Sequence, residues 1–339
     1  MRVVTIYDIA KQANVSAMTV SRVINNTGRI SAATRERVKA VMAELNYVPN
    51  SMARSLVKQE TKMLSLLITD ITNPFYTTLA RGAEDMAKRN GYKLLFGNSD
   101  EDYGKERDYV DMVLSTRVDG VLFAPAGDGS AEHLRLLQRH GVPFVLLDRE
   151  VPDVAADQVL GDSREGARRL VEHLLSLGHT RIAMVGGRQD VSTARLRYAG
   201  YADALKLGDV PFDPALVFEV GYTSFEAGGL VDALLSAERP PTAVFAANNF
   251  LALAVIRALR NRGVRVPEDL SVVCFDDFGE AIVLDPFLTV AQQPAYEFGS
   301  LGMQLLIERI GGAAGAAPRK IVLPSELVVR QSARSLLSV

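Results

Sequence analysis

The chain has 339 residues, of which 48% are hydrophobic and 23% charged, and its formal net charge is −2 at pH 7. These values are typical of an ordinary soluble globular protein with room for two or three domains. The single cysteine, Cys274, excludes a disulfide framework and cannot build a zinc cluster. The sequence has neither the apolar run of a signal peptide nor a stretch able to span a bilayer. We therefore expect a cytoplasmic protein with no membrane partner.

Charge is distributed unevenly along the chain. Residues 1–62 hold ten Lys and Arg against four Asp and Glu, a net charge of +6, and the remainder has a net charge of −8. A basic head on an acidic body is typical of a protein whose head meets a polyanion. A solvated basic surface explains the same distribution equally well, so charge alone does not decide between them.

The amino-terminal segment, residues 1–48, has the pattern of three short helices. Thr5 and Asp8 have the spacing of a capping box at the first helix, and Ser16 and Ser31 are in position to cap the second and third. Apolar residues then recur at helical spacing on one face of each helix. These predicted inward-facing residues are Ile6, Ile9, Ala10, Ala13, Val20, Val23, Ile24, Val38, Val41, Met42 and Leu45. So short a segment can bury only a small core, which predicts a small all-α domain.

From Met63 onward the predicted elements change to strands alternating with helices. Apolar runs such as MLSLLIT and LSVVCFDD are separated by amphipathic segments, which indicates parallel sheets covered on both faces. The alternation runs twice, with a break near Gly161. Each half ends in a strand carrying an aspartate, Asp148 in the first and Asp276 in the second. The predicted fold class is α/β, with two doubly wound lobes and a cleft between them.

The predicted second helix lies in the stretch NVSAMTVSRVINN and has no acidic residue from Ser16 to Asn26. A helix that enters the major groove of DNA needs a face without acidic residues, because carboxylates would repel the phosphates. Arg22 suits the O6 and N7 atoms of guanine, and Met18 can pack on a thymine methyl group. Each residue taken singly also has an ordinary structural explanation. Arg22 can be a solvated arginine, Met18 a core methionine and Ser16 a helix cap. The other candidate DNA contacts on the first two helices are Tyr7, Lys11, Ser16, Ala17, Thr19, Ser21 and Asn25.

The stretch TIYDIAKQANVSAMTVSRVINN, followed by ISAATRERVKAVMAELNYVPNSMARSL, closely resembles the lactose-repressor family of transcription regulators. The resemblance continues through LVEHLLSLGHTRIAMVGG and RVPEDLSVVCFDD, and so covers the whole chain. It implies a helix-turn-helix domain at 1–48, a hinge helix and linker at 49–61, and a body at 62–339 like a periplasmic binding protein. The expected lobes of that body are about 62–161 with 292–320, and 162–291 with 321–339.

The segment NSMARSLV, capped by Asn50, is too short for a helix that persists alone in water. The resemblance implies that it folds on DNA beside the same segment of a second subunit. In that arrangement Leu56 wedges open the central step of the minor groove, and Ala53 lets the two helices approach. The alternative is that Leu56 packs on the body.

Polar and aromatic residues gather at the carboxyl ends of the predicted strands, where open α/β sheets bind ligands. Charged and amide groups can bind two hydroxyls at once, and aromatic rings stack on the C–H face of a sugar. The chain has no P-loop or complete dinucleotide fingerprint, so we expect a sugar rather than a nucleotide. The candidate effector contacts are Asn73, Phe75, Tyr76, Asp148, Arg149, Thr193, Arg197, Tyr222, Asn248, Asp276 and Gln293.

All of these candidates except Thr193 resemble sugar-contacting positions of the lactose-repressor family and of the ribose-binding protein. Ala124 stands where the ribose pattern has an amide side chain, which argues against ribose itself. The structural alternatives are helix caps or strand-end bonds for the aspartates, core packing for Phe75 and Tyr76, and a surface ion pair for Arg197. Asn98 is a weaker candidate that serves equally well as a cap or turn residue. Three further residues are expected to be caps or contacts between lobes: Asp162, Asn249 and Asp277.

Together these observations predict a repressor that binds palindromic operator DNA as a homodimer and responds to a small sugar. We expect no catalytic residue, no metal and no cofactor. Two other classes stay open, a carbohydrate-active enzyme built on Asp148, Asp276 and Asp277, and a sugar-binding protein of a transport system. Against the enzyme, Arg149 and Arg197 are expected to keep the neighbouring carboxylates ionised, which leaves no proton donor. Against the transport protein stands the DNA-binding head.

Overall fold

A computed structural model describes residues 4–48, 60–222, 226–279, 286–312 and 317–337. The chain divides into two compact units, Met1–Thr61 and Lys62–Val339. They are called the head and the body below.

The head contains three helices, α1 Ile6–Gln12, α2 Ala17–Asn25 and α3 Ala32–Glu44. Their first turns are capped as the sequence predicts. The Thr5 backbone N–H donates to the Asp8 carboxylate at 2.9 Å, and the Ser16 and Ser31 hydroxyls accept from backbone N–H groups at 3.1 and 3.2 Å. All eleven predicted inward-facing residues belong to the head's single apolar cluster, seven of them buried and four partly buried. The predicted all-α head is therefore confirmed.

The body is built from strands alternating with helices. Its strands are β1 Met63–Ile68, β2 Lys93–Asn98, β3 Gly120–Phe123, β4 Phe144–Asp148, β5 Asp157–Gly161, β6 Ile182–Gly186, β7 Val217–Glu219, β8 Ala243–Ala246, β9 Ser271–Phe275, β10 Thr289–Gln292, β11 Lys320–Leu323 and β12 Glu326–Val328. Its helices are α4 Pro74–Arg89, α5 Tyr103–Thr116, α6 Ala131–Arg139, α7 Ser163–Ser176, α8 Ser192–Leu207, α9 Gly228–Leu235, α10 Asn249–Arg260 and α11 Ala295–Ile310. Short 3-10 turns lie at Asp128–Ser130 and Pro214–Leu216.

The strands form two six-stranded sheets with the same topology. The first has the order β11-β5-β4-β3-β1-β2 and is parallel throughout. The second has the order β12-β10-β9-β8-β6-β7, and only the β10–β12 pair is antiparallel. We call the two halves lobe one and lobe two. This arrangement confirms the predicted pair of α/β lobes.

Both faces of the lobe-one sheet are covered, which explains why its strands read as continuous apolar runs. Leu64 and Leu66 face one core with helices α4 and α11, while Leu67 and Phe123 face another with helices α5 and α6. Helices α4 and α11 meet backbone to backbone, because a Cβ at Gly299 would lie 1.8 Å from the carbonyl oxygen of Leu79. In lobe two, helices α7 and α8 make the same kind of close contact at Gly200.

The chain crosses between the lobes three times, after β5, after β10 and after β11. The third crossing corrects the expected boundary at residue 320. Strand β11 pairs with β5 through Leu323, so Ile321, Val322 and Leu323 belong to lobe one and not to lobe two. The physical reason is that Leu323 and Ile321 pack into the lobe-one core. No helix among the described residues is long and apolar enough to cross a membrane.

Candidate functional site

The head presents one surface whose side chains are free of the apolar core. Helix α2 carries Met18, which is 65% exposed, and Arg22, which is exposed too. Tyr7 on α1 is 73% exposed, and Lys11 one turn later is exposed. These are the residues that the sequence analysis expected to reach DNA. Their exposure leaves Arg22 and Met18 able to contact bases and the α1 side chains able to contact phosphates.

Several small or polar side chains at α2 already have partners within the head. Ser16 caps the helix, and its hydroxyl also lies 2.9 Å from that of Thr19. Asn25 was expected on the exposed face, but it is only half-exposed and its amide nitrogen donates to the Ser21 hydroxyl at 3.3 Å. Ala17 packs partly against the core of the head. The remaining candidate DNA contacts, Asn50, Ala53 and Leu56, lie outside the described residues.

In the body, every candidate effector residue is less than one-tenth exposed. Most of them lie just beyond the carboxyl ends of strands, on facing sides of the two lobes. Lobe one contributes Asn73, Phe75, Tyr76, Asp148 and Arg149, lobe two contributes Thr193, Arg197, Tyr222, Asn248 and Asp276, and Gln293 lies at the crossing after β10. Three of them have structural roles as well. Asn73 and Asn248 cap helices α4 and α10, and Phe75 packs edge-on against Phe298.

The lobe-one wall is organised around Asp148, the last residue of β4. Its backbone is left-handed, with φ +65°, which turns the chain sharply at the end of the strand. One carboxylate oxygen accepts the Tyr76 hydroxyl at 2.9 Å. Burial, followed by the Asp148 charge, raises the pKa of Tyr76 well above its ordinary value, so the hydroxyl stays protonated and donates.

Arg149 is held by three other groups of lobe one. One terminal nitrogen donates to the carbonyl oxygens of Pro125 and Ala126 at 3.2 and 3.1 Å. The other donates to the Glu101 carboxylate at 2.5 Å. Burial alone would lower the pKa of Arg149, but Tyr76, Glu101 and Asp148 together raise it above its ordinary value. The guanidinium is therefore a fixed, permanently charged group.

The lobe-two wall is organised around Asp276, directly after β9, whose φ is +67°. Arg197 from helix α8 lies over the Phe275 ring at 3.8 Å and donates to Asp276 at 3.4 Å and to the Ala247 carbonyl at 2.6 Å. Gln293 donates to the other oxygen of Asp276 at 2.7 Å. Burial raises the pKa of Asp276, and Arg197 and Gln293 offset only part of that rise. The expectation that the arginine would keep this carboxyl fully ionised is thus too strong.

Five buried polar atoms in these two walls have no hydrogen-bond partner within the part of the chain that the structure describes. They are Asp148 Oδ1, Arg149 Nε, Arg197 Nε, the Tyr222 hydroxyl oxygen and Gln293 Oε1. Two are acceptors, two are N–H donors, and the hydroxyl is both. The Tyr222 ring of lobe two lies 6.0 Å from the Arg149 guanidinium of lobe one, so the two walls meet here. A cavity of about 620 Å³ borders the same tyrosine, between Lys105 of lobe one and Phe250 of lobe two.

Contacts between the lobes hold the cleft closed beside this site. Asp128 of lobe one forms two hydrogen bonds with Arg195 of lobe two, at 2.7 and 3.1 Å, and its backbone N–H donates to the Asp190 carbonyl at 2.8 Å. The Tyr103 hydroxyl donates to the Asp190 carboxylate at 2.8 Å. We call these four residues the clasp. Elsewhere in the cleft the side-chain amide of Asn249 donates to that of Asn73 at 3.3 Å, the lobe contact that the sequence left open for Asn249.

Neither the clasp nor Glu101 was predicted from the sequence. Asn98 accepts a turn hydrogen bond from Ile71, in agreement with its predicted role as a turn residue. Asp162 and Asp277 were expected to cap helices or join the lobes, but they form ion pairs with Arg169 and Arg330 of lobe two. Glu101 did carry a signal, an acid three residues beyond the end of a predicted strand. That position alone gave no reason to point its side chain at Arg149.

The chain is similar to known proteins along nearly its whole length. Residues 5–50 match the model of bacterial regulatory proteins of the lacI family, and residues 171–333 match that of a periplasmic binding protein-like domain. The chain is 39% identical to the HTH-type transcriptional regulator DegA of Bacillus subtilis (strain 168), over 98% of each chain. It belongs to the lacI family.

Two solved structures extend the likeness of this lacI-family chain to the fold. The lac repressor dimer bound to operator and an anti-inducer matches with a TM-score of 0.82 and 28% identity, over 98% of this chain and all of that one. The complex of the transcriptional regulator CelR with cellobiose matches with a TM-score of 0.72 and 31% identity, over 97% of this chain and 99% of that one. The protein is a DNA-binding transcription regulator of the family's two-part design.

Proposed function

We propose that this regulator is a repressor whose affinity for operator DNA is set by a small sugar held between its lobes. The observation that carries the proposal is the set of five buried polar atoms in the two walls that have no partner among the described residues. Donors and acceptors are mixed among them, and a hydroxyl group matches that mixture because it donates and accepts at once. A buried polar atom without a partner is costly, so a ligand that supplies hydroxyls binds with a favourable free energy.

The head is proposed to bind the major groove through α2. The exposure of Arg22 and Met18 and the absence of acids from Ser16 to Asn26 support this placement. The lac repressor dimer bound to operator supports a two-fold dimer of this chain on a palindromic site, with one head on each half-site. Selection of binding sites from random duplexes tests it, and sites without two-fold symmetry would argue against the dimer.

The role of Arg22 in reading bases is tested by substitution in the full chain. Arg22→Ala is expected to weaken operator binding by about 1–3 kcal/mol and to relax the preference at one base pair. Lys39→Ala removes the same charge from an exposed position on α3, beside Glu36, and serves as the control. It is expected to leave base preference unchanged. Uniform weakening of all duplexes by Arg22→Ala would assign that arginine to a phosphate instead.

The sugar and the DNA are proposed to communicate through the arrangement of the lobes. The clasp and the Asn73–Asn249 contact stabilise the closed cleft, and a ligand that bridges both walls adds to the same state. The chain crossings link the two lobes to each other. Lobe one begins directly after residues 49–61, the predicted hinge and linker at the end of the head. A ligand that prefers one arrangement must shift the population toward it, and DNA affinity follows if the arrangements differ in how they present the heads.

A thermal-shift screen of pentoses, hexoses and their phosphates tests the ligand class. A sugar that binds only the folded protein stabilises it by about 2.7 kcal/mol at a concentration one hundred times its Kd, and so raises the melting temperature. CelR, which is known in complex with cellobiose, supports including disaccharides in the screen. If no carbohydrate changes the melting temperature, the ligand class is wrong.

We further propose that the chain is not an enzyme and not a transport protein. Asp148 and Asp276 each face an arginine, and the Tyr76 and Gln293 side chains also donate to them, which suits binding more than proton transfer. Burial raises the pKa of Asp276, so this carboxyl is the group to watch in an activity assay. Incubation with aryl glycosides is expected to release no aryl group. Recovery of the protein from a periplasmic or secreted fraction would favour transport.

A further inference from the structure

Glu101 is a buried acidic group beside Arg149 that neither the family resemblance nor the strand-end pattern assigned. It lies three residues beyond the end of β2 and has a left-handed backbone with φ +57°. Its side chain is buried, and its carboxylate accepts from a terminal nitrogen of Arg149 at 2.5 Å. The Arg149 guanidinium in turn lies 6.0 Å from the Tyr222 ring. Glu101 therefore contacts Arg149, a lobe-one residue that lies close to the Tyr222 ring of lobe two.

Glu101 changes the balance of charge in the site. Its buried carboxylates are Glu101, Asp148 and Asp276, and its buried guanidiniums are Arg149 and Arg197. The acidic groups outnumber the guanidiniums by one, and Glu101 places a negative charge directly beside Arg149 that opposes the binding of an anionic ligand.

Glu101 also decides which atoms Arg149 has left to offer. One terminal nitrogen of that arginine donates to two backbone carbonyls and the other donates to Glu101, while Nε has no hydrogen-bond partner among the described residues. Arg197 is in the same condition, with its terminal nitrogens on Ala247 and Asp276 and its Nε unpaired. A carboxylate or phosphate is recognised best by the two-pronged fork of a guanidinium. A single N–H beside an unpaired acceptor such as Asp148 Oδ1 suits a hydroxyl.

We propose that Glu101 is a specificity-determining residue that makes the site select uncharged sugars over sugars bearing a carboxylate or a phosphate. The inference rests on the proposed function, since it concerns the ligand of the same cleft. Loss of the Glu101 charge removes the negative charge that Arg149 faces, and a less compensated guanidinium favours an acidic ligand.

The test measures Kd by calorimetry on the full chain for matched pairs of neutral and acidic sugars. The pairs are D-glucose with D-glucuronate, D-galactose with D-galacturonate, and D-ribose with D-ribose 5-phosphate. In the unaltered protein, at least one neutral member is expected to bind more tightly than its acidic partner. Glu101→Gln keeps a side-chain oxygen for Arg149 but loses the charge, and is expected to shift the ratio of the two Kd values toward the acid by about tenfold.

Two further variants separate charge from structure. Glu101→Asp retains the charge and is expected to keep the neutral preference, even if overall affinity changes. Asp111→Asn removes an exposed carboxylate that is likewise paired with an arginine, Arg107 on α5, and is expected to leave the ratio unchanged. The melting temperature of each variant without ligand reports whether it folds. The comparison of neutral and acidic sugars in the unaltered protein does not depend on any variant.

Tighter binding of the acidic member by the unaltered protein overturns the inference, and so does an unchanged ratio in a folded Glu101→Gln protein. In both cases a sugar still binds, so the proposed function survives. If no member of any pair binds either protein, the proposed function falls and this inference falls with it.

Discussion

The two walls of the cleft repeat one backbone design with different side chains. In lobe one, β4 ends at Asp148 with φ +65°, and in lobe two, β9 leads into Asp276 with φ +67°. The arginine beside Asp148 is its chain neighbour, whereas the arginine beside Asp276 comes from helix α8 and lies over an aromatic ring. The second donor is a tyrosine in one wall and a glutamine in the other. The repeated strand end fixes where a carboxylate is presented, and the differing partners set its charge environment.

The largest expected difference between the walls is in the stability of arginine variants. Arg149→Met leaves both Glu101 and Asp148 buried beside no cation, and loss of one partner of a buried ion pair costs about 3–5 kcal/mol. Arg197→Met leaves only Asp276, to which Gln293 still donates, so a smaller loss is expected. Urea unfolding of both variants at pH 7 measures the two free energies. Equal losses, or the reverse order, would mean that Glu101 is not held as a charged partner of Arg149.

The next difference is in the pH dependence that Asp276 contributes. Burial raises its pKa in the folded protein, so between the unfolded and folded pKa values the folded state binds more protons. Stability due to this group is therefore highest below pH 4 and falls as the pH rises through the folded pKa. The free energy of unfolding of the unaltered protein, minus that of Asp276→Asn, is expected to decrease as the pH rises above about 4. An increase over that range would show that Arg197 outweighs burial.

The smallest expected effect concerns the unpaired Tyr222 hydroxyl. Tyr222→Phe removes a buried polar atom that has no partner, so the free energy of unfolding is expected to stay the same or rise. Sugar affinity is expected to fall by about two- to tenfold, the value of one hydrogen bond. Tyr201 is the matched control, because its buried hydroxyl donates to the Ile182 carbonyl at 2.8 Å and Tyr201→Phe should cost stability. Similar stability losses in both variants would indicate that Tyr222 has a partner in the protein.

These differences mark what sequence could and could not predict. Strand periodicity and the aspartates at the ends of β4 and β9 predicted the lobes and the general position of the cleft. The boundary at β11 was placed three residues too early, because nothing local distinguishes a strand that pairs in one sheet from the strand that follows it in the other. Asn25 was expected to be exposed, yet its amide is drawn toward Ser21 of the preceding turn.

Glu101 and the clasp escaped prediction for a common physical reason. Glu101 points at a residue 48 positions later in the chain, and Asp128 pairs with one 67 positions later. Such contacts depend on how two lobes and two loops come together. Periodicity, capping and turn patterns all act within a few residues, so they give no information about them. The sequence identifies the charged residues but not the residues with which they pair.

Coupling between the sugar cleft and the DNA-binding head can be measured by reciprocal titration. The Kd of the selected operator duplex is measured with and without a saturating sugar, and the Kd of the sugar is measured with and without the duplex. If the two sites are coupled, each ligand changes the Kd of the other by the same factor, about 5- to 150-fold. An operator Kd that stays the same at every sugar concentration would contradict this coupling.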